Sequence, residues 1–163
     1  MYMNKEQIYE YLKKRNIWFE VDSHKAVYNM ADLLDVDISY PEGDAKNLFL
    51  CDDKKINYYL ITVKGDKRVN LSKFRRDNGT RPLSFASSEE LENIMGLIPG
   101  SVTPLGILND KDKKVTVFID SEFKPLDIIG VHPNDNTATL WLKTKDLIDI
   151  IKDNGNVVKV VDI

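Results

Sequence analysis

The sequence has few of the residues that build disulfides and metal sites. It contains one cysteine, Cys51, and two histidines among 163 residues. A lone cysteine cannot form an internal disulfide, which favours a reducing compartment, and we expect the cytoplasm. One cysteine and two histidines also nearly exclude a zinc site built from these side chains.

Long apolar runs and familiar catalytic motifs are missing as well. No apolar run approaches the roughly 20 residues of a membrane span, so no membrane partner is expected. The N-terminal residues 1–16 read as an amphipathic helix rather than a signal peptide. The sequence has no G-x-S-x-G elbow, P-loop, G-x-G-x-x-G or H-E-x-x-H motif. The length suits one domain, which we expect to span residues 1–163.

The charge of the chain is unevenly distributed. The net charge is −3, which by itself argues weakly against nucleic acid. Between residues 64 and 81, however, two acidic residues stand against seven basic ones: Lys64, Lys67, Arg68, Lys73, Arg75, Arg76 and Arg81. Such a patch can neutralise phosphates, although a solvated helix face explains this feature equally well.

Local patterns predict an α+β fold, with a mainly antiparallel mixed sheet and surrounding helices. Capping boxes at Asn4/Gln7 and Ser87/Glu90 predict helix starts, and Gly79, Gly96 and Gly155 predict helix ends. Thr144 is expected to cap the last helix. Helices are predicted at 5–15, 30–36, 71–78, 88–95 and 145–154; short strands at 17–21, 83–87 and 157–161; and hairpins at 46–63, 106–120 and 127–143.

Few residues suggest chemistry on their own. Cys51 ends an apolar strand and is expected to be buried packing. His132 precedes Pro133, which favours extended backbone, and it is either a surface residue or a hydrogen-bonding group in a pocket. His24 has a weaker case. Lys46 opens an apolar strand and is either a solvated edge residue or an ammonium group aimed at a phosphate or carboxylate.

One short stretch, GSVTPLG at residues 100–106, lacks both charge and bulk. It is either a plain connection or a rigid backbone surface against which something small lies. Glycine allows close approach of a ligand to the backbone, and proline fixes the chain direction.

Four motifs occur in a characteristic order: KNLFL at 46–50, LSFASSEEL at 83–91, GSVTPLGILND at 100–110 and HPNDNTATLWL at 132–142. Together they resemble the YbaK/ProX family, free-standing relatives of the editing domain inserted in bacterial prolyl-tRNA synthetases. The resemblance runs from about Ile8 to Val160. The GSVTP and HPNDNTAT forms resemble the branch that hydrolyses Ala-tRNA(Pro) more than the branch that acts on Cys-tRNA(Pro).

The resemblance implies a trans-acting aminoacyl-tRNA deacylase that needs no metal or organic cofactor. Lys46 matches the lysine that holds a phosphate or the 3′-terminal adenosine, and His132 the histidine that positions the ester. Gly100 and the four residues after it match the segment that lines the amino-acid pocket: Ser101, Val102, Thr103 and Pro104. Asn136 and Thr137 match polar residues that support the turn. The reaction implied by the resemblance is attack of water on the ester carbonyl, with backbone donors stabilising the oxyanion and a ribose hydroxyl of the substrate assisting.

The implied partners are tRNA(Pro) and prolyl-tRNA synthetase. We expect phosphate contacts from the basic stretch, through Lys67, Arg68, Lys73, Arg75, Arg76 and Arg81. Trp141 departs from the smaller residues common in the family, and it is expected to alter the pocket or a partner surface. The alternatives are a Cys-tRNA(Pro) deacylase and a non-catalytic binding module. A general single-strand binder is disfavoured, because Phe74 is the only aromatic residue in the basic stretch.

Overall fold

The computed structural model describes residues 2–23 and 39–163. His24 and the helix predicted at 30–36 lie outside the described residues. Four α-helices occur in the described part: α1 (Lys5–Lys14), α2 (Leu71–Asn78), α3 (Ser88–Met95) and α4 (Thr144–Asp153).

The helix ends follow local sequence chemistry. Both predicted capping boxes are present, at the starts of α1 and α3. Gly79 and Gly96 end α2 and α3 in the left-handed conformation, at φ 68° and 65°. The predicted cap of α4 is wrong: its N-cap is Lys143, and Thr144 instead donates its hydroxyl to the backbone oxygen of Asp127 at 3.0 Å.

Eight strands in the described residues form two sheets. The larger sheet has the order β4-β2-β3-β5-β8, and the smaller has the order β1-β7-β6. Hairpins β2–β3 and β6–β7 are confirmed, and the strand predicted at 17–21 is displaced toward 20–23. The strands are β1 (Glu20–Ser23), β2 (Ala45–Asp52), β3 (Tyr58–Lys64), β4 (Leu83–Phe85), β5 (Val115–Asp120), β6 (Ile128–Val131), β7 (Ala138–Lys143) and β8 (Val158–Val161).

The hairpin predicted at 106–120 is wrong. Residues Pro104–Asn109 form a 3₁₀ segment, and β5 pairs in parallel with β3 and β8. Gly106 lies so close to Met95 and Leu97 that a β-carbon there would come within 2.7 Å of each. Asp110 then accepts the backbone N–H groups of Lys114 and Val115, at 3.0 and 2.9 Å, and closes the turn into β5.

The larger sheet separates two apolar clusters. Phe49 and Cys51 of β2 face the main cluster, which also contains residues of α1, α3, α4 and the smaller sheet. Leu50 faces the second cluster, which Phe74 of α2 covers. The burial of Cys51, at 2% exposure, agrees with the packing role expected from its strand. This arrangement confirms the expected α+β class.

No helix in residues 2–23 and 39–163 combines the length and the apolar character that a membrane crossing requires.

Candidate active site

The site is centred on the connection between β6 and β7, where His132 follows directly on β6. The Nδ1 atom of His132 lies 3.3 Å from the backbone oxygen of Ala138, at the start of β7. A carbonyl oxygen only accepts hydrogen bonds, so this contact assigns the proton to Nδ1. In the neutral ring, the lone pair then belongs to Nε2.

The segment from Gly100 to Pro104 is attached to this connection. The buried Thr103 hydroxyl donates to the backbone oxygen of His132 at 2.8 Å and accepts the N–H of Leu105 at 3.3 Å. The structure therefore brings the two motifs together, although they lie 29 residues apart.

The rest of the segment is held by local contacts. The Ser101 hydroxyl donates to the backbone oxygen of Ile98 at 3.1 Å, so its polar group serves the turn. Val102 is half-buried against the main cluster, and Pro104 is buried. Gly100 lies in the 3₁₀ segment Pro99–Ser101; among described residues, the positive-φ glycines are Gly65, Gly79, Gly96 and Gly155, so Gly100 is not one of them.

Asn136 and Thr137 lie in the same connection but differ in their bonding. Thr137 accepts from the Lys5 ammonium at 3.1 Å and donates to the Asp135 carboxylate through both its hydroxyl and its backbone N–H. Asn136 is 7% exposed, and its Nδ2 is a buried donor with no hydrogen-bond partner among residues 2–23 and 39–163. A buried donor without a partner is costly, and an acceptor on a ligand would satisfy it.

Two further residues of this connection, Asn134 and Asp135, were not singled out as site residues from the sequence. Asn134 has φ 59° and donates to the backbone oxygen of Met3 at 3.2 Å, and its Oδ1 is buried without a partner in the described part of the chain. Burial alone would raise the pKa of Asp135, but hydrogen bonds from Thr137 and the charge of Lys5 lower it. The polar run NDN was the available signal, because Asn and Asp accept left-handed turns.

Lys46 lies elsewhere on the molecule. Its ammonium group is 3.5 Å from the backbone oxygen of Asp66, beside the basic stretch. Strand alternation places Lys46 on the side of Leu48 and Leu50, which α2 covers, whereas the smaller sheet packs on the other side. The contacts that join Thr103 to His132 therefore do not extend to Lys46.

The basic stretch divides into paired and unpaired side chains. Lys67 pairs with the fully buried Asp120 at 2.6 Å and also with Glu122; Lys73 pairs with Asp77 at 2.7 Å; Arg81 makes two bonds to Asp53 at 2.6 and 2.9 Å. Among the described residues, no carboxylate pairs with three exposed cations of the stretch, Arg68, Arg75 and Arg76.

Trp141 is not on a partner surface. It is fully buried, and its indole N–H donates to Asp22 at 2.9 Å. Its ring lies against Gly43 and Gly130, where added β-carbons would come within 3.1 and 2.5 Å of it. Within the part of the chain that the structure describes, no cluster of three or more histidine, cysteine or acidic residues is placed to hold a metal ion.

Comparison with known proteins identifies the family of the chain. The prolyl-tRNA editing protein ProX of Acetoanaerobium sticklandii is 34% identical over 159 residues, covering 98% of this chain and 97% of that protein. The prolyl-tRNA synthetase associated domain-containing protein 1 of Mus musculus is 30% identical over 141 residues, covering 84% of this chain and 83% of that protein.

A solved structure of a candidate trans-editing enzyme for prolyl tRNA synthetase has the same fold, with a TM-score of 0.71 at 20% identity over 97% of this chain and 94% of that chain. The model of the aminoacyl-tRNA editing domain matches residues 24–150. The resemblance to the editing proteins, and with it the hydrolase class of an aminoacyl-tRNA deacylase, is thus confirmed: the chain belongs to the aminoacyl-tRNA editing domain family.

Proposed function

We propose that the protein hydrolyses the ester bond of mischarged Ala-tRNA(Pro), acting in trans as a single domain formed by the whole chain. The observation that carries this proposal is the hydrogen bond from Thr103 to the backbone of His132. It joins the small-residue segment, which would face the amino acid, to the histidine that would position the ester.

In the proposed reaction, water adds to the ester carbonyl, and the bond to the ribose oxygen breaks. The ribose oxygen leaves as a 3′-hydroxyl with one proton of the attacking water, and the carboxyl group formed releases the second proton to solvent, so alanine leaves as the carboxylate. The contact of Nδ1 with the backbone oxygen of Ala138 fixes the orientation of the His132 ring, which would position the aminoacyl ester. An aminoacyl ester is already activated, so positioning supplies much of the rate.

Asn136 is suited to donate a hydrogen bond to the ester carbonyl oxygen in this reaction. Its Nδ2, which has no partner among the described residues, is a donor that an ester oxygen would satisfy, and the bond would strengthen as negative charge develops on that oxygen. The buried position of Asn136 favours such a bond, because water competes less strongly there.

Selectivity for alanine would arise from exclusion by shape. A synthetase pocket built for proline cannot strongly reject a smaller side chain, and a second, smaller site corrects this. The side chain of Val102 is short and branched, and Pro104 is a buried ring. Neither side chain could move aside to admit a larger ligand. The hydroxyl groups of Ser101 and Thr103 are engaged in holding the segment.

The proposed partner is tRNA(Pro), delivered in the cytoplasm with or without prolyl-tRNA synthetase. Of the cations expected to contact phosphates, Arg68, Arg75 and Arg76 are the best placed, because they are exposed and carry no ion pair among the described residues. Lys67, Lys73 and Arg81 would each have to leave a carboxylate.

The test is a side-by-side deacylation assay on Ala-tRNA(Pro), Cys-tRNA(Pro) and Pro-tRNA(Pro), with release of the amino acid as the readout. We expect rapid release of alanine and slow release of proline. Faster release of cysteine than alanine would reassign the substrate. Binding of all three without release would identify a binding module and overturn the proposal.

A further inference from the structure

The N-terminal residues 2–5 join two parts of the candidate site. The N–H of Met3 donates to the side chain of Asn109 at 2.8 Å, at the end of the 3₁₀ segment that begins at Pro104. The backbone oxygen of Met3 accepts from Asn134 Nδ2 at 3.2 Å, in the connection between β6 and β7. Met3 thus ties the element that follows the small-residue segment to the connection that carries the histidine. We call residues 2–5 the N-terminal clamp.

The N-terminal clamp is anchored at both of its ends. The Tyr2 hydroxyl donates to the backbone oxygen of Asn93 at 2.9 Å, and the Tyr2 ring lies so close to Gly96 that a β-carbon there would clash with it. At the other end, α1 begins at Lys5 and buries Ile8 in the main cluster. Because closely packed elements resist displacement, the clamp can hold the parts of the site that it contacts.

Lys5 makes the charged contact of the clamp. Its ammonium donates to the Thr137 hydroxyl at 3.1 Å, and that hydroxyl donates in turn to the Asp135 carboxylate. Within residues 2–23 and 39–163, no carboxylate forms an ion pair with Lys5. A cation in the first turn of a helix opposes the helix dipole, so the charge of Lys5 does not stabilise α1. The contact with the connection is what the charged group contributes.

The connection depends on such side-chain contacts because its backbone supplies little support. In the part of the chain that the structure describes, residues 133–137 make no backbone–backbone hydrogen bond. Asn134 also has a φ of 59°, a conformation that persists where surrounding contacts hold it. The clamp supplies two of these contacts, from Met3 to Asn134 and from Lys5 to Thr137.

Asn136 lies between two residues that this network holds. Asp135 precedes it and Thr137 follows it, and both belong to the hydrogen-bond chain that begins at Lys5. The Nδ2 of Asn136 has no partner of its own among the described residues, so its direction depends on how the neighbouring residues are held. A displacement of about 1 Å in a reacting group can lower a rate by about 10²-fold.

We propose that Lys5 is a positioning residue for ester hydrolysis, which acts through Thr137 and Asp135 to orient the side chain of Asn136. The inference rests on the proposed function, in which Asn136 donates to the ester carbonyl oxygen. That bond strengthens as negative charge develops on the oxygen, so loss of Lys5 lowers kcat more than it raises KM.

The first test is kinetic and uses the full chain with Ala-tRNA(Pro). Lys5→Met removes the ammonium and keeps an unbranched side chain, and kcat should fall by about tenfold while KM changes by less than about twofold. Lys5→Arg keeps a charged donor and should restore most of kcat. Lys13→Met, an exposed lysine on the same helix, is the matched control and should match the wild type.

Two kinetic results would overturn the proposal. An unchanged kcat in Lys5→Met, with or without a higher KM, would show that Lys5 does not position the reacting groups. A loss of kcat that Lys5→Arg does not restore would show that the charged donor is not what matters at this position.

The second test asks whether Lys5 acts through Thr137. Thr137→Val removes the hydroxyl that links Lys5 to Asp135 and nearly keeps the shape of the side chain. In the Thr137→Val protein, Lys5→Met should lower kcat by less than about twofold further, because the hydrogen-bond chain is already broken. If the effects of the two substitutions instead multiply, Lys5 does not act through Thr137, and the proposal is wrong.

The third test requires no hydrolysis. The side-chain amide signals of Asn136 are followed by NMR in the free protein, and Asn136→Asp identifies these signals by their loss. Lys5→Met should shift them, whereas Lys5→Arg and Lys13→Met should leave them near their wild-type positions. Unchanged signals in Lys5→Met would refute the effect on Asn136. If the wild-type protein releases no amino acid but Lys5→Met still shifts the signals, the proposed function fails by itself, and the NMR result separates the two failures.

Discussion

The hydroxyl of Thr103 donates a 2.8 Å hydrogen bond to the backbone oxygen of His132 and thereby fixes the small-residue segment against the β6–β7 connection. The side chains of Thr103 and His132 are each held by a contact with a backbone oxygen, and not by a hydrogen bond between the two side chains. The amino-acid end and the ester end of the proposed site are thus held in one rigid arrangement, which an enzyme that works by positioning requires.

Replacing Thr103 with valine tests this arrangement. The substitution keeps the shape of the side chain but leaves the His132 carbonyl without its donor, which should cost about 1–3 kcal/mol of unfolding free energy. We expect kcat/KM for Ala-tRNA(Pro) to fall by roughly tenfold to a hundredfold, assayed well below the melting temperature. Thr103→Ser should restore most of the rate, because serine keeps the hydroxyl. A valine variant that is less stable but fully active would show that the bond serves folding alone.

Lys46→Ala tests the lysine that the resemblance singles out. Among the described residues its ammonium makes one hydrogen bond, the long contact to the backbone oxygen of Asp66, so the unfolding free energy should change by less than about 0.5 kcal/mol. Deacylation should nevertheless fall by roughly 10²-fold if Lys46 holds the tRNA end. Lys54→Ala, in the exposed β2–β3 turn, is the control. Wild-type activity in folded Lys46→Ala protein would remove Lys46 from the site.

The sequence predicted local features well and long-range pairing poorly. The capping boxes of α1 and α3 were identified because both partners lie within four residues. The parallel pairing of β5 was missed because its partners, β3 and β8, lie far away in the chain, and the neighbouring turn KDKK imitates a hairpin. Likewise, no local pattern shows that Lys67 pairs with Asp120, which is 53 residues away.

In the site, the order of the sequence motifs identified Thr103 and His132 as candidate residues. Their contact could not be predicted, because it depends on the tertiary structure. Asn136 and Thr137 looked alike in sequence, but the structure distinguishes them: Thr137 bonds to Lys5 and Asp135, whereas Asn136 has a buried donor without a partner in the described part of the chain. The burial of Trp141 could not be predicted from sequence either, because it depends on Gly43 and Gly130, which lie on different segments of the chain.

Removal of the Arg75 and Arg76 charges tests the unpaired cations. Both lie in the last turn of α2, and the double Arg75→Gln/Arg76→Gln variant should weaken tRNA binding and flatten its salt dependence. Each lost phosphate contact should reduce the slope of log K against log salt by about 0.7–0.9. Lys13→Gln/Lys14→Gln, in the last turn of α1, is the matched control. An unchanged slope in the arginine variant would exclude this surface.

Lys67 should behave differently, as a structural cation. Lys67→Met leaves the fully buried Asp120 without its ammonium partner, although the carboxylate keeps the N–H groups of Lys64 and Glu122. We expect a loss of about 3 kcal/mol, at the low end for a broken buried pair. The exposed pair of Lys73 with Asp77 is the control, and Lys73→Met should cost about 0.5 kcal/mol or less.

The same pair has a defined pH dependence. Burial alone would raise the pKa of Asp120, but Lys67 and the backbone N–H groups lower it below its ordinary value. A lowered carboxyl pKa adds stability above the unfolded value of about 3.9, and this stability is lost as pH falls through the folded value. Urea unfolding from pH 7 to pH 3 should show the Lys67→Met difference shrinking in acid. A difference constant across this range would contradict the assigned role.

Gly100→Ala decides whether the small-residue segment is a binding surface or only a connection. Gly100 does not have the positive φ that would strain an alanine, so the substitution should leave stability unchanged or raise it by about 0.4–1 kcal/mol. If the amino acid lies against Gly100, the added methyl group should reduce alanine release despite this stability. Gly79→Ala is the contrasting control: the φ of Gly79 is 68° with open space around it, so the variant should lose stability and keep activity.

Val102→Ala should change the deacylation rate of larger aminoacyl esters relative to that of the alanyl ester, by an amount that corresponds to about 1–3 kcal/mol of discrimination. Unchanged rates and ratios in the Gly100 and Val102 variants would reduce the segment to a connection, whereas a stable, slow Gly100→Ala enzyme would place the amino acid there.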